Sequence, residues 1–284
     1  MPFIMSIDAA REQFPSYEFV RALTPSAQKA AFHVRKDGRD LCLKIIAPTQ
    51  ALDRVQREVL AMQTIQHPNI VKLLEYEYSA RAGNSRHYLI EEFIEGKDLS
   101  AALVPGKPWP LGRLITFFGA ICDGLEELNS HNIVHRDLKP SNIRVRSDGV
   151  PVIIDFGLAR LLDMESLTET LAGAMIGTPR YFSPEQFRGT KRDIDHRTDL
   201  YALGVLIYEA AVGRHPSMTD KPQTIEQLSD AVCTSESFVN NAAFKALPPN
   251  LNLLVRRLLE KERARRPASA KLVGQILRNL EGGQ

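Results

Sequence analysis

The stretch IVHRDLKPSNIRVRSDGVPVIIDFG, Ile133 to Gly157, decides how this chain is read. It sets two carboxylates, Asp137 and Asp155, with Lys139 and Asn142 inside one short strand-loop-strand unit. Phosphoryl transfer from a nucleotide needs a group that orients the attacking hydroxyl, oxygen ligands for magnesium, and cations for the phosphates. Asp137 can accept or align the hydroxyl proton, and Lys139 can neutralise the transferring phosphate. Asn142 with Asp155 offers the hard oxygen ligands that magnesium prefers. One residue in the stretch is out of character: Arg144 sits where the run should turn apolar.

Toward the N-terminus, from Tyr17 to about Ile94, the pattern favours strands with one helix interrupting. DLCLKII (Asp40 to Ile46) alternates as a strand does, and LDRVQREVLAMQTIQ places Val55, Val59, Met62 and Ile65 at helical spacing. The His67-Pro68-Asn69 turn stops that helix, because proline disfavours helical geometry in the residue before it. IVKLLEYEY and RHYLIEEFI read as two further strands separated by the turn-forming SARAGNS. Beyond EGKDL the composition turns helical, and Leu114, Phe117, Ile121, Leu125 and Leu128 mark one face of a helix. DLYALGVLIYEAAVG (Asp199 to Gly213) is apolar nearly throughout, the mark of a helix buried on all sides. The last segment, LNLLVRRLLEKERARRPASAKLVGQIL, reads as two amphipathic helices broken at Arg266-Pro267.

The expected organisation is an N-terminal extension over 1–16, a strand-rich lobe over 17–94, a helical lobe over 95–280 and a tail over 281–284. There is no internal repeat and no low-complexity tract. Hydrophobic residues make up 44% and charged residues 25% of the 284, which are globular values. A net charge of +2 gives no reason to expect a nucleic-acid or membrane partner. Cys42, Cys122 and Cys233 lie too far apart for a metal spacing or a disulfide framework, so they read as thiols in a reducing compartment. The N-terminus is a poor signal peptide, no window approaches a membrane span, and the chain reads as soluble and cytoplasmic. His67 and His135 have no second ligand at metal spacing. Trp109, between two prolines, reads as a loop anchor, and most of KERARR as a solvated helix end.

Lys44 follows a strand, and Glu58 lies on the next helix, where an ion pair would hold that lysine against nucleotide phosphates. With HRDLKPSN (135–142), DFG (155–157), GTPRYFSPE (177–185), DLYALG (199–204) and a late Arg266, the chain resembles eukaryotic-type serine/threonine protein kinases, over about Tyr17 to Leu280. The resemblance implies an α+β, bilobal fold, with a small antiparallel sheet and one main helix in the first lobe and a larger helical second lobe, and the use of ATP with magnesium. It implies Asp137 as catalytic base, Asn142 and Asp155 as metal ligands, Lys44 as phosphate anchor and Glu58 as its partner. Glu92, Ile94 and Asp98, with Cys42, fall in the nucleotide-binding region by the same resemblance. Asp199 would hold the catalytic loop's backbone, and Glu185 would pair with Arg266. DLKPSN and Gly177-Thr178 resemble kinases that act on serine or threonine, SPEQ resembles bacterial members, and GTPRYFSPE favours a protein substrate. Ser166, Thr168 and Thr170 are candidates for a regulatory phosphate, including autophosphorylation, against the plainer reading of a solvated polar loop.

The chain departs from this pattern in two places. The family's glycine-rich loop is replaced by LTPSAQKAAFHV, with no glycine from Leu23 to Val34, and Pro25 removes one amide. Weaker or rearranged ATP binding is expected, with Lys29 as a compensating charge or simply a solvated one. By the same alignment Glu91 occupies the gatekeeper position behind the adenine and Arg144 the apolar position beneath it. A buried unpaired charge costs several kcal/mol, so the expectation is that Glu91 and Arg144 pair or reach solvent. Cys42 stands in for the usual alanine two residues before Lys44. An active kinase is the first reading. A pseudokinase serving as a nucleotide- or protein-binding scaffold is the alternative, and a small-molecule kinase a third, weakened by GTPRYFSPE, which resembles the family's peptide-docking segment.

Overall fold

The computed structural model describes residues 3–25, 29–46, 59, 62–81, 84–156, 178–189, 194–219 and 224–280. The chain divides into two compact units, Met1–Glu95 and Gly96–Gln284. The fold is α+β, one unit rich in strands and the other in helices.

The first unit is built on a five-stranded antiparallel sheet of spatial order β1-β2-β3-β5-β4. Its strands are β1 (Glu18–Ala22), β2 (Lys29–Lys36), β3 (Arg39–Ile46), β4 (Leu73–Arg81) and β5 (Asn84–Glu92). The β2–β3 hairpin follows from Asp37-Gly38, both at positive φ (52° and 73°). Such a two-residue turn matches the strands' own twist and locks Lys36 opposite Arg39. Strand pairing extends to Arg81 and Asn84, so most of SARAGNS is strand.

Alternation along the strands gives the sheet two different faces. Phe32, Val34, Leu41, Leu43, Ile45 and Ile90 join one apolar cluster. That cluster is covered by α1 (Ile7–Gln13), capped by the Ser6 hydroxyl accepting from the Ala9 amide at 3.1 Å. The N-terminal segment is thus part of the core: Ala10 is fully buried and Phe14 packs edge-on against Tyr88. Lys44, Cys42, Leu89 and Glu91 alternate with these residues and belong to the other face. Of the helix expected after β3, residues 59, 62 and 63 are described as helical, and Val59, Met62 and Ile65 are buried. Glu58 lies outside the described residues.

In the second unit, β6 (Lys97–Asp98), β7 (Ile143–Val145) and β8 (Pro151–Ile153) form a small antiparallel sheet. Its helices are α2 (Leu111–Ser130), α3 (Pro184–Phe187), α4 (His196–Val212), α5 (Ile225–Cys233), α6 (Ala242–Lys245), α7 (Pro249–Leu258) and α8 (Ala270–Asn279). The apolar face of α2 is buried as its periodicity predicts, and α8 packs along it. α4 is buried on nearly every side. It starts at an Asp195 cap that accepts from the Arg197 amide at 2.8 Å, and it stops at Gly213, whose φ of 71° is costly for any residue with a Cβ. Trp109 anchors its loop by donating to the Ala102 carbonyl at 3.1 Å and packing on Phe117.

The final helices break earlier than the Arg266-Pro267 signal suggests. α7 ends at Leu258 because the following turn is drawn inward by Arg266, which donates to the Glu260 carbonyl at 2.9 Å. Among the described residues no helix is long and apolar enough to cross a membrane. None of the three cysteines is in a disulfide, and Cys42 and Cys122 are buried.

Candidate active site

The HRD stretch is shaped by hydrogen bonds from elements far away in sequence. On α4, Asp199 accepts the backbone N–H of His135 at 2.7 Å on one oxygen and that of Arg136 at 2.8 Å on the other. Gln186 donates its side-chain amide to the Arg136 carbonyl at 2.7 Å. Arg136 is thereby held at φ 67°, a left-handed conformation that a bulky residue adopts only when its surroundings impose it. His135 is fully buried; its Nδ1 accepts from the Asp137 amide at 3.3 Å, so Nε2 carries the hydrogen and donates to the Ile154 carbonyl at 3.0 Å.

Within this frame Asp137 is held by its neighbours. Lys139 Nζ lies 2.8 Å from Asp137 Oδ2. Asn142 donates its side-chain amide both to the Asp137 carbonyl at 2.8 Å and to Asp137 Oδ2 at 3.0 Å. These donations fix which end of Asn142 is nitrogen, leaving its Oδ1 as a hard acceptor. The Asn142 carbonyl also accepts the Ile154 amide at 2.9 Å, and β7 pairs Ile143 with Ile153, so Asp155 follows one residue after a position bonded to Asn142. Asp155 has φ 64°, a second strained position in the same unit. The donor set is two side-chain oxygens. Among the described residues no group of three or more His, Cys, Asp or Glu is arranged around a metal position. Magnesium fits such a set, because it takes one or two protein oxygens and completes its shell with phosphate and water.

Lys44 and Glu91 form a buried ion pair, with 3% of each residue exposed. Arg144 pairs with Asp98 at 2.6 Å and donates to the Gly96 carbonyl. The expected pairing of Glu91 with Arg144 is therefore corrected: each charge has a partner within its own unit. The reason is register, since Glu91 lies opposite Cys42 with Lys44 diagonal to it, while Asp98 on β6 lies directly opposite Arg144 on β7. Asp98, a nucleotide-region candidate, has its carboxylate engaged by Arg144. Cys42 and Ile94 are buried, and Glu92 accepts the Lys72 amide at 3.0 Å. His33, opposite Cys42 in the ladder, stacks on Phe93 with ring centroids 3.8 Å apart. Lys29, where an exposed side chain was one expectation, is buried.

The GTPRYFSPE segment is described from Thr178 onward. Arg266 donates two nitrogens to Glu185 at 2.7 and 2.8 Å, and Thr198 donates to the same carboxylate at 2.8 Å. Tyr181 donates to Glu209 at 2.8 Å and meets His215 edge-on. A small hollow lined by Arg180, Tyr201, His215, Ser217 and Phe238 contains none of the Asp137, Asn142 or Asp155 set. Ser166, Thr168 and Thr170 lie outside the described residues.

The family signature described as the protein kinase domain matches residues 28–277. The chain belongs to the protein kinase family. Its kinase domain is 34% identical over 251 residues to the serine/threonine-protein kinase pkn2 of Myxococcus xanthus, covering 84% of this chain and 29% of that protein. It is 31% identical over 269 residues to a probable serine/threonine-protein kinase PknB of Bifidobacterium longum (89% and 38%). With the serine/threonine-protein kinase PknB of Mycobacterium leprae it shares 32% over 193 residues (66% and 30%). The chain thus spans roughly a third of the length of the curated relatives it matches.

Sequence reasoning singled out the loop residues of the kinase domain but missed three features: the Lys44–Glu91 pair, the Arg144–Asp98 pair and the His33–Phe93 stack. Asp98 and Arg144 carry no local signal, being 46 residues apart. The first pair had one: a glutamate two positions along an antiparallel neighbour strand from a lysine's partner is a diagonal contact.

Proposed function

We propose that this domain is a serine/threonine protein kinase that transfers the γ-phosphoryl group of ATP to a hydroxyl of a protein substrate. The observation that carries this reading is the fixed Asp137, bonded by Lys139 and Asn142 in a loop tied to Asp199. The substrate hydroxyl oxygen forms the new bond to the γ-phosphorus, the bond from that phosphorus to the β–γ bridging oxygen breaks, and ADP leaves. Asp137 aligns the hydroxyl and takes its proton, and Lys139 balances charge on the transferring group. Asn142 Oδ1 and Asp155 would hold magnesium, which neutralises phosphate charge when bound.

In the same reading Lys44 anchors the phosphates with Glu58 as a partner, and Cys42, Glu92 and Ile94 serve the adenine. Asp98 and Arg144 act there as a pair, and a phosphate on Ser166, Thr168 or Thr170 would regulate the domain. The free thiols suit a cytoplasmic setting. The test is incubation with magnesium and labelled ATP beside an Asp137→Asn variant, following label in the domain itself and in a generic protein substrate. Transfer by the parent, falling about 10²–10⁴-fold in the variant, supports the reading. A parent that neither transfers phosphate nor is shifted in melting temperature by ATP would point to a scaffold instead.

A further inference from the structure

Glu91 stands where the kinase pattern has an apolar side chain, yet it is neither exposed nor alone. Its strand, β5, lies beside β3, and the register sets Cys42 opposite Glu91 and Lys44 opposite Leu89. Cys42 and Lys44, two residues apart, share a face, as do Leu89 and Glu91. Lys44 and Glu91 therefore meet on the diagonal of the ladder, a distance that two long side chains can close. Both are 3% exposed, and an ammonium at that depth has to be compensated by a carboxylate.

We infer that Glu91 is a positioning residue for Lys44: a counter-ion built into the sheet that helps set the direction of the ammonium. The proposal rests on the kinase reading for its functional consequence. The two strands are hydrogen-bonded neighbours, so the pair forms whenever the sheet forms. Glutamate at this place is then a working half of the phosphate anchor, and the charge that looked misplaced in an adenine pocket belongs to Lys44.

The test is a cycle of Glu91→Gln, Lys44→Met and the double variant, read by kcat/KM for ATP, by ATP affinity and by the rate at which acetic anhydride acylates Lys44 in the absence of ATP. Glu91→Gln should lower kcat/KM about tenfold, within the range of coupling between contacting residues, with partial rescue by Glu91→Asp. In the Lys44→Met background the same change should have almost no further effect on ATP affinity. Acylation of Lys44 should speed up several-fold in Glu91→Gln while Lys97 and Lys107 keep their rates. Equal effects with and without Lys44, or unchanged acylation, would overturn the proposal. A parent without phosphotransfer but with Lys44 acylation that responds to Glu91→Gln would sink the kinase reading and leave the pairing standing. Should Glu91→Gln fail to fold, the Lys44→Met/Glu91→Met protein decides: a melting temperature well above that of Glu91→Met alone supports the pair, and one equal to it or lower does not.

Discussion

Arg266 grips Glu185 through two parallel hydrogen bonds of 2.7 and 2.8 Å, with side chains 0% and 6% exposed. The two residues are 81 positions apart, and the bond ties the GTPRYFSPE segment to the end of the helical unit. Removing one partner leaves the other charge buried, so Arg266→Met should cost about 3–5 kcal/mol, read from the urea midpoint.

The same pair predicts an acid response. Burial pushes the Glu185 carboxyl up, but the Arg266 fork and the Thr198 hydroxyl outweigh it and hold it below the usual carboxylate value. A depressed folded value means that the stabilisation is present above the unfolded value of about 4.3 and is lost as pH falls through the lower folded one. Unfolding curves of Glu185→Gln should therefore be flatter than the parent's below about pH 4.3.

Asp199 ties two successive amides of the catalytic loop. Hydrogen bonds to a charged acceptor contribute about 1.5–3 kcal/mol each, and the left-handed Arg136 depends on them. Asp199→Ala should lower the melting temperature, and in the protein that still folds kcat should fall more than the affinity for ATP changes. A stability loss with kcat intact would show that Arg136 and Asp137 are held by other contacts.

His215 is buried, with Tyr181 edge-on against it. Burial, reinforced by the positive charge of Arg180, pushes its imidazole down to about 3. The folded state keeps it neutral, and the unfolded chain protonates near 6.5. Stability tied to this residue is complete above about pH 6.5 and drops by about 1.4 kcal/mol per pH unit below it, down to about 3. His215→Leu should remove that slope, measured as the difference between variant and parent urea midpoints at pH 7 and pH 5.

Gly204 lies where α4 meets the end of α7: a Cβ there would sit 2.6 Å from the Leu258 Cβ. Gly204→Ala should destabilise the domain by about 1–3 kcal/mol through overpacking, visible as a lower melting temperature. Leu258→Ala added to it should not relieve the clash, because alanine keeps the Cβ that the new methyl meets.

What the sequence by itself determined was local. The order and spacing of HRDLKPSN, DFG, GTPRYFSPE and DLYALG sufficed to identify the family, and period-3.6 runs located α2 and α4, because helices and short loops are set by near neighbours. The seven-residue α1 was too short to show a period, and the extension of β4 to Arg81 and of β5 back to Asn84 was hidden by polar composition. Tertiary structure alone decided the partners of Lys44, Glu91 and Arg144. Lys44 meets Glu91 from 47 residues away, and Arg144 meets Asp98 rather than Glu91. The physical reason is that a charge entering a low-dielectric interior must be neutralised by whichever opposite charge the strand register brings within reach, and register is a property of the assembled sheet.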